Sequence, residues 1–599
     1  MRTKLFSLVS LLLAASVILA ACGQATPVVQ TVIVGGEVQV VTATPGPAPE
    51  GPKTLTFLGN LAGDIPTIDP ALTTDTSSVQ IVDETTVGLT RQNEVTTAVE
   101  PGIATTWDIV NNDDGTQTVT FHLRNDVPWV KWDGSAVVQV MDCQETPAPR
   151  MVNAHDFVYG ITRTLAPATA SSYAYVLAFA IKGASDYNAG TNEDPASVAV
   201  TAVDDWTVEI TFLEQATYNV NIAGMWVAHA QPAWIIDGDD CTEANGNRWT
   251  ETGFFQGYGP YTLREWVHNT EIVLVKNPFW PGSDAIPQAK IELLRGLMLD
   301  EIPAFAEYES GGMDVTSVPL ADLDRVKADP VLSQELTIGP VLCTYYYGFN
   351  TQAPFVDDVR VRLALSEAID RQALIDNVLK GGQEPAQWFA RPGLNGAPTM
   401  ADHPDLGVKF DPIDAKAQLD AYLAEKGITA ADVDITLMFN TSSGHQRIAE
   451  AIQQMWKDTL GIEVKLTNQE FAVFLDTIRD PVATPQIYRL GWCQDYPDAN
   501  NFDREVWTVG GSANLGPSGG GAGWENADYE RLVVEAAREQ DPVARVDLYA
   551  QAEEILVKTD AVMAPIYWYT RVSVTKPYVT RTFSVLGGLE HFEKWDINK

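Results

Sequence analysis

Two short stretches of the chain carry residues that could do chemistry together. Residues 489–498 read Arg-Leu-Gly-Trp-Cys-Gln-Asp-Tyr-Pro-Asp, and residues 342–347 read Leu-Cys-Thr-Tyr-Tyr-Tyr. Arg489 and Asp495 place two opposite charges on one segment, beside aromatic side chains and a cysteine. A buried ammonium or carboxylate is costly unless it is paired. The pattern therefore favours an enclosed site for a polar ligand that carries one charge at each end.

A second motif would suit covalent chemistry instead. Residues 516–520 read Gly-Pro-Ser-Gly-Gly, which matches the nucleophile-elbow pattern with Ser518 as the nucleophile. That elbow needs a strand before it and a helix after it, whereas Ser518 lies in a glycine-rich stretch at 510–523. His591 is the only histidine downstream. A serine hydrolase using Ser518 is kept as a distant alternative, and we expect no catalytic residue.

The first residues have the pattern of an export signal. Arg2 and Lys4 precede an apolar run that ends in Leu-Ala-Ala-Cys, and this ending resembles the bacterial lipobox. We expect residues 1–21 to be a lipoprotein signal peptide and Cys22 to carry lipid. Residues 22–52 include a proline-rich run and are predicted to be a disordered tether, although the Val-Gln-Thr-Val-Ile-Val run could pair as a strand.

Composition and cysteine usage exclude several classes. The net charge is −40 over 599 residues, which argues against nucleic acid and against docking on an anionic membrane. Of the five cysteines, Cys143, Cys241, Cys343 and Cys493 remain after Cys22, and an even number in an exported protein suggests disulfides with three possible pairings. No Cys-x-x-Cys and no ATP-binding, metalloprotease or calcium motif occurs, so neither a metal nor a cofactor is expected.

Hydrophobic spacing predicts the elements that must position these residues. Alternating apolar residues predict strands near 116–123, 206–212 and 271–275. Helical spacing predicts helices near 358–379, around 448–456 and over 541–557. Strands and helices that alternate with short links indicate an α/β architecture with mixed sheets.

Several longer motifs resemble those of the family 5 extracellular solute-binding proteins of ABC importers. The run Gly-Tyr-Gly-Pro-Tyr-Thr-Leu-Arg-Glu-Trp at 257–266, with Ile-Val-Leu-Val-Lys-Asn-Pro-Phe-Trp at 272–280, resembles the family signature. The segments at 64–70, 153–159 and 355–362 resemble further family motifs. Within the family, the Leu-Cys-Thr-Tyr-Tyr-Tyr and Gly-Trp-Cys runs most resemble the periplasmic oligopeptide-binding members of Gram-negative bacteria. The resemblance spans roughly residues 53–599.

This resemblance implies a fold, a function and partners. The fold would be two-lobed and periplasmic-binding-protein-like (class II, cluster C) with an extra domain and a hinge between the lobes. Domain I would comprise 53–87, 214–342 and 570–599, domain II 88–213, and domain III 343–569. The protein would be a monomeric receptor, not an enzyme, which binds oligopeptides between the lobes and delivers them to an ABC permease with its ATPase subunits. It would be held by lipid on the outer face of the cytoplasmic membrane, the periplasmic side where an outer membrane exists.

The resemblance also implies roles for individual residues. Asp495 would bind the peptide amine, and Arg489 and His445 would meet the carboxylate of longer peptides. Main-chain groups of the Gly491–Cys493 segment would pair with the extended peptide, and Trp492, Tyr173, Tyr346 and Tyr569 would line the site. Phe471, which stands where the relatives have an indole, would also contact the peptide, as would Tyr258, where the relatives have asparagine and a changed contact is expected. The disulfides would be Cys343–Cys493, as in the relatives, and Cys143–Cys241.

Other readings of these residues and of the family stay open. Asp495 could cap a turn, Arg489 could be a structural ion-pair partner, His445 could be exposed at a helix start, and the tyrosines could be core. Within the family, an oligosaccharide receptor or a nickel or haem receptor is the nearest alternative. An oligosaccharide site would need aromatic platforms without the Arg489–Asp495 charge pair.

Overall fold

The computed structural model describes residues 29–34, 37–42, 51–61 and 63–599, with backbone alone for 29–34, 37–42 and 60–61. The signal peptide and Cys22 lie outside the described residues. Two units are described separately, the segment up to Pro52 and the body Lys53–Lys599. In the first, Val29–Val34 pairs with Glu37–Thr42 as an antiparallel hairpin, so a local strand pair lies within the segment predicted as a tether.

The described residues contain the following strands in chain order. They are β1 Val29–Val34, β2 Glu37–Thr42, β3 Thr54–Leu61, β4 Thr90–Gln92, β5 Val99–Pro101, β6 Ala104–Asn111, β7 Gln117–Leu123, β8 Val130–Trp132, β9 Val137–Gln139, β10 Val200–Asp204, β11 Thr207–Phe212, β12 Tyr261–Val267, β13 Glu271–Lys276, β14 Leu293–Leu299, β15 Val315–Ser317, β16 Leu336–Phe349, β17 Glu384–Pro385, β18 Thr436–Asn440, β19 Lys465–Gln469, β20 Ile487–Cys493, β21 Met563–Thr575, β22 Val579–Thr580 and β23 Asp596–Ile597.

The α-helices of the same residues lie mostly between these strands. They are α1 Thr76–Thr85, α2 Ala154–Leu165, α3 Ala174–Ala180, α4 Ala184–Asn188, α5 Asn219–Ile222, α6 Ala233–Ile236, α7 Glu301–Ser310, α8 Leu323–Ala328, α9 Leu332–Glu335, α10 Val359–Glu367, α11 Arg371–Leu374, α12 Pro412–Lys426, α13 Ser443–Leu460, α14 Phe471–Arg479, α15 Ala499–Trp507, α16 Ala527–Arg538 and α17 Pro542–Glu554.

One large mixed sheet runs through the body. Its strand order is β12-β13-β14-β3-β15-β21-β16-β20-β18-β19, with β17 added against β21. The β14–β3, β15–β3, β18–β19 and β18–β20 pairs are parallel, and the other pairs are antiparallel. A separate antiparallel sheet, β10-β11-β7-β6, lies within the segment 88–213. This mixture of strands and covering helices is the expected α/β architecture.

The long strands β16 and β21 connect two lobes, which we call lobe 1 (53–342 and 570–599) and lobe 2 (343–569). In lobe 1, β21 pairs with β15; in lobe 2, β16 pairs with β20. Between them, the β16–β21 register shifts between Pro340 and Thr344. Proline cannot donate to a strand ladder, so pairing is weakened at this crossing. The two crossing strands are therefore the natural place for a hinge.

Helix α13 illustrates how sequence spacing fixes an element at the cleft. Its buried residues Ile448, Ile452 and Trp456 recur every four positions and form one face. Ser442 caps the start by accepting a hydrogen bond from the His445 backbone, and Gly461 ends the helix in the left-handed conformation (φ 74°). The helix therefore begins at the cleft and holds His445 in its first turn.

The single helix predicted near 358–379 is wrong. The chain instead forms α10 and α11, followed by a π-helical turn at Ile375–Leu379. Asp370 starts the second helix by accepting from the Ala373 backbone, and the buried Arg371 guanidinium donates to the carbonyl of Pro565 at 2.6 Å. A new N-cap and an inserted arginine interrupt a run whose hydrophobic spacing looks continuous.

Candidate ligand-binding cleft

A cavity of about 260 Å³ lies where the lobes meet, and we call it the first cavity. Lobe 2 contributes the side of β20 and the loop after it, including Arg489, Gly491 and Asp495. Lobe 1 contributes Tyr173 and Trp226, among others. Both charged residues singled out from the sequence therefore border the same enclosed space.

Asp495 is a buried carboxylate with neutral partners. Its oxygens accept from the Asn501 amide at 2.8 Å and from the Tyr173 hydroxyl at 3.1 and 3.2 Å. No lysine or arginine of the described residues lies within ion-pair distance of it. Burial raises the pKa of the Asp495 carboxyl to about 7, and the hydrogen bonds from Asn501 and Tyr173 act in the opposite direction. A cationic ligand group at this point would restore the charged form.

Helix α15 holds Asp495 in place. Asp498 caps the helix and puts Asn501 in its first turn, fully buried. The Asn501 side chain accepts from the Asp495 backbone at 2.9 Å and from the Trp492 indole at 3.1 Å while donating to the Asp495 carboxylate. One amide thus fixes both the carboxylate and the aromatic wall beside it.

Arg489 is a buried guanidinium with no carboxylate partner among the described residues. It donates to the Asn440 amide oxygen at 3.1 Å and to the Tyr569 hydroxyl at 2.5 Å, and it lies over the Tyr345 ring at 4.3 Å. Its Nε has no hydrogen-bond acceptor. Because an arginine stays protonated in proteins, this positive charge is buried with only neutral neighbours.

Strand β20, which carries Arg489 and ends just before Asp495, has one free edge along 489–493. Residues 487–493 pair with β16 on one side, but β18 pairs only with Ile487 and Tyr488 on the other. In the described part of the chain, no strand pairs with the outer edge of 489–493. A Cβ on Gly491 would lie 2.9 Å from the Tyr569 hydroxyl, so glycine permits this close approach. An extended ligand could add to this edge as a further strand.

Contacts across the cleft hold the lobes together. Besides Tyr173–Asp495, the Gln92 amide of lobe 1 donates to the Asp495 carbonyl at 2.5 Å. Farther along, Glu214 of lobe 1 pairs with Arg504 at 2.8 Å and Arg538 at 3.2 Å, both in lobe 2. The protein is therefore in a closed arrangement.

Comparison with known proteins places this cleft in a family. Residues 98–514 match the family model of the bacterial extracellular solute-binding proteins, family 5 Middle. The chain belongs to the family 5 extracellular solute-binding proteins. It is 32% identical over 483 residues to the periplasmic oligopeptide-binding protein OppA of Escherichia coli (strain K12), covering 80% of this chain and 81% of that one. It is 30% identical over 574 residues to OppA of Bacillus subtilis (strain 168), covering 95% and 94%.

Solved structures agree with the two-lobed fold. The Escherichia coli murein tripeptide-binding protein MppA aligns with a TM-score of 0.77 at 27% identity, covering 92% of this chain and 99% of that one. Haemophilus influenzae OppA in complex with RPPGFSPFR aligns at 0.76 and 25% identity, covering 92% and 100%. MppA in its unliganded open form aligns at only 0.59, with 28% identity over 92% and 98% of the chains. The lobes of this family 5 protein are thus arranged unlike those of the open form.

Most residues predicted for the site border a cavity of this family 5 protein. Trp492, Cys493, Phe471 and Tyr569 line the first cavity with Asp495, Arg489, Gly491 and Tyr173. Cys493 is joined to Cys343, the predicted disulfide, and this bond ties β20 to β16 beside the cavity. The second predicted disulfide, Cys143–Cys241, also forms.

His445 borders a neighbouring cavity, and its charge state differs from the expectation. It is half-buried, and its Nδ1 lies 3.4 Å from the Tyr345 hydroxyl. Burial, together with the Arg489 charge, lowers the pKa of His445 well below its usual value. In this arrangement the imidazole is neutral, so it offers a hydrogen bond rather than a positive charge to a carboxylate.

Two predicted tyrosines lie away from both cavities. Tyr258 is fully buried, where its hydroxyl donates to the Val87 carbonyl at 3.0 Å and its ring packs edge-on against Trp129. Tyr346 is fully buried between Phe389 and Trp507. The expectation that these two side chains line the site is corrected, because each is enclosed by core aromatic residues.

Several residues at the cleft were missed by the sequence reasoning. Gln92 and Trp226 gave no signal of their own, because these lobe 1 residues meet lobe 2 only through the fold. For Asn501 a signal existed: Asp498 followed by Ala-Asn-Asn suggests a capped helix start just after Asp495. The direction of the Asn501 side chain toward Asp495 could not be read from it.

Three features of the described residues bear on the alternative functions. Ser518 is exposed in its loop, and no described histidine hydrogen-bonds to it, while His591 lies 3.0 Å from Glu94. The described residues contain one cluster of side chains of the kind that bind metals, namely Cys143, Asp239 and Cys241. Its two cysteines form a disulfide. Within the described ranges, no helix has the length and apolar character needed to cross a bilayer.

Proposed function

We propose that this protein is the extracytoplasmic receptor of an ABC importer and binds oligopeptides between its lobes. One observation carries the proposal: a buried carboxylate, Asp495, and a buried guanidinium, Arg489, border one cavity without a counter-charge of their own. A free edge of β20 lies between them. A peptide supplies an ammonium group, a carboxylate and a main chain that pairs with a strand edge, so it satisfies all three.

The names of the relatives support this assignment. Two of them are called oligopeptide-binding proteins, and one neighbour was solved with the peptide RPPGFSPFR. In this protein, Asp495 would bind the peptide amine and Arg489 a carboxylate farther along the chain. Trp492, Tyr173, Tyr569 and Phe471 would form the walls, and water would fill the space that small side chains leave.

Binding would act through the hinge at β16 and β21. Ligand contacts that form only in the closed state shift the lobes toward closure, by no more than the ligand's preference for that state. The closed form would then be presented to a permease and its ATPase subunits. No bond of the ligand is made or broken in this scheme, so the protein is not an enzyme.

The envelope location and the anchor are part of the same proposal. Lipid on Cys22 would hold the receptor at the outer face of the cytoplasmic membrane, since each buried CH₂ contributes about 0.8 kcal/mol. Residues 22–52 would link that anchor to the body. The receptor would act as a monomer with domain I at 53–87, 214–342 and 570–599, domain II at 88–213, and domain III at 343–569.

Native mass spectrometry of protein purified from peptide-rich medium tests the ligand class. We expect bound masses that resolve on fragmentation into peptides with free amino termini. A bound sugar, or a stoichiometric nickel ion or haem, would contradict the proposal and support the family alternatives. A neutral sugar would leave both Asp495 and Arg489 unpaired, which is the physical reason for placing it second.

A further inference from the structure

The core of lobe 2 contains two carboxyl groups that the proposed function does not use, Asp503 on α15 and Glu553 on α17. Both side chains are fully buried, and their carboxyl groups lie within hydrogen-bonding reach of each other. No lysine, arginine or histidine of the described residues forms an ion pair with either of them. Two negative charges side by side, with no cation or water between them, would be strongly unfavourable.

The surroundings of the two carboxyl groups differ. Glu553 accepts hydrogen bonds from two backbone amides, that of Phe389 at 2.9 Å and that of Ala390. Neither oxygen of Asp503 accepts a hydrogen bond from a donor in the described part of the chain. Because hydrogen bonds to a carboxylate favour its ionised form, Glu553 is the group that keeps its charge. Asp503 is then the group that carries a proton, and its O–H donates to Glu553.

The other charged and titratable groups around the pair are already engaged. Asp498 caps α15, and Arg545 of α17 donates to both of its carboxylate oxygens, at 2.7 and 3.0 Å. From α16, the Tyr529 hydroxyl donates to the main-chain carbonyl of Asp503 at 2.6 Å. The Tyr549 hydroxyl of α17 lies 3.4 Å from the Arg545 guanidinium. Because Asp498 offsets the charge of Arg545, these groups bring no net positive charge to Asp503.

Proton binding to the pair differs between the folded and the unfolded chain. Burial and the Glu553 charge both raise the pKa of the Asp503 carboxyl well above its usual value. Burial also raises the pKa of Glu553, whereas its two backbone hydrogen bonds act in the opposite direction. In the unfolded chain both carboxyl groups titrate near about 4. Above that value the folded lobe holds a proton that the unfolded chain has lost, so the free energy of unfolding falls as pH rises.

We propose that Asp503 and Glu553 hold one proton between them, with Asp503 as the hydrogen-bond donor, and that this proton fastens α15 to α17. Through Glu553 the link continues to the backbone at 389–390, so three segments of lobe 2 meet at it. Asn501, which holds Asp495 at the cleft, lies two residues before Asp503 on the same helix. Loss of the proton leaves two buried negative charges in contact and drives the helices apart, so lobe 2 loosens in alkali rather than in acid. The inference does not depend on which ligand the cleft binds.

Thermal melts of Asp503→Asn and of the unchanged protein, both ligand-free and measured from pH 5 to 8.5, test the shared proton. An asparagine amide donates to Glu553 as the protonated acid does, but it needs no proton to do so. We expect the two melting temperatures to agree within about 1 °C at pH 5, and the variant to melt about 3 °C or more higher at pH 8.5. Comparing the two proteins at each pH cancels the contribution of other buried acids.

Two further variants show which carboxyl group carries the proton. Glu553→Gln keeps one acceptor oxygen, but its NH₂ group faces a backbone N–H at 389–390, so this variant should melt lower than the unchanged protein at every pH. The matched control is Asp528→Asn, an exposed change on the neighbouring helix α16 that removes a pair with Arg531. It should follow the unchanged protein over the whole pH range.

Infrared spectroscopy observes the same proton without unfolding the protein. At pH 7.5 the carbonyl stretching band of protonated carboxyl groups should be weaker in Asp503→Asn than in the unchanged protein. An Asp503→Asn variant that fails to fold, melts lower at all pH values, or melts like the unchanged protein throughout would overturn the shared proton. So would a melting temperature that Ca²⁺ raises and EDTA lowers in the unchanged protein alone, because the pair would then hold a cation.

Discussion

The Tyr173 hydroxyl of lobe 1 lies 3.1 and 3.2 Å from the two carboxylate oxygens of Asp495 in lobe 2. Tyr173 stands at the start of α3, and Asp495 lies between β20 and α15. The ring of Tyr173 also stacks on Trp492 at 6.3 Å. Because the hydrogen-bonded pair joins the two lobes, closure of the lobes completes the environment of the carboxylate.

Replacing Tyr173 by phenylalanine should weaken peptide binding by about threefold to tenfold, because a hydrogen bond to a carboxylate contributes on the order of 1 kcal/mol. The loss should lie mainly in faster dissociation, measured by stopped-flow fluorescence. Tyr159→Phe is the control, since it removes the Tyr159–Asp237 hydrogen bond of 2.7 Å, which lies within lobe 1. Equal losses in both variants would contradict a cross-lobe role.

Acid should favour closure of the empty receptor. The Asp495 carboxyl has a pKa of about 7 in the closed cleft, and in an open, hydrated cleft it would titrate near 4. Between these values only the closed form holds the proton, so closure becomes more favourable as pH falls through 7, by up to about 1.4 kcal/mol per pH unit. X-ray scattering of ligand-free protein from pH 8 to 5.5 should show a falling radius of gyration.

The Asp495→Asn variant is the control for that titration. An amide does not titrate, so the radius of gyration of this variant should stay level over the same range. A decrease of the same size in the variant would assign the response to another group.

Arg489→Gln should act on those peptides whose carboxylate reaches this guanidinium. We expect the affinity for a free tripeptide to fall about tenfold or more, and that for its C-terminal amide to fall much less, because the amide has no charge to lose. Calorimetry on both ligands measures the difference. Arg360→Gln, which removes ion pairs with Asp358 and Glu425 on lobe 2, should change neither affinity. A loss that is the same for acid and amide would assign Arg489 to the fold.

Glu214 should contribute to closure without contacting the ligand. Its pair with Arg504 is mostly buried, whereas the Arg538 side chain is 65% exposed, so the first pair carries most of the effect. Glu214→Gln should lower the affinity for all peptides alike by a few-fold. X-ray scattering of the liganded variant should show a shift toward open forms. Glu209→Gln, a change on β11 in the same part of lobe 1, should have no effect. Discrimination among peptides by the Glu214 variant would contradict this role.

The sequence predicted those parts of the fold that depend on local spacing. Helix α13 follows from apolar residues at helical spacing with Gly461 behind them, and β7 and β11 follow from alternation. The prediction of one helix near 358–379 was wrong because Asp370 and Arg371 introduce a helix cap and a buried cation, which hydrophobic periodicity does not show.

The site residues that lie on one segment of the chain could be predicted from the sequence. The site contacts that depend on how the two lobes pack could not. Arg489, Gly491, Cys493 and Asp495 lie on one strand and the loop after it, and the family resemblance located them. Gln92 and Asn501 act through side-chain directions set by tertiary packing. Tyr346 was predicted to line the site but does not. Its neighbour Tyr345 packs against Arg489, and because successive side chains along β16 point to opposite faces, Tyr346 points into the core.

The central claim is that Asp495 pairs with the amine of a bound peptide. The direct measurement is a calorimetric cycle with protein and Asp495→Asn, each titrated with one tripeptide bearing a free amino terminus and with its N-acetyl form. The account predicts that the variant loses about tenfold or more for the free peptide and little for the acetylated one, because only the free peptide forms the ion pair. Equal losses for the two ligands, or none for either, would contradict it.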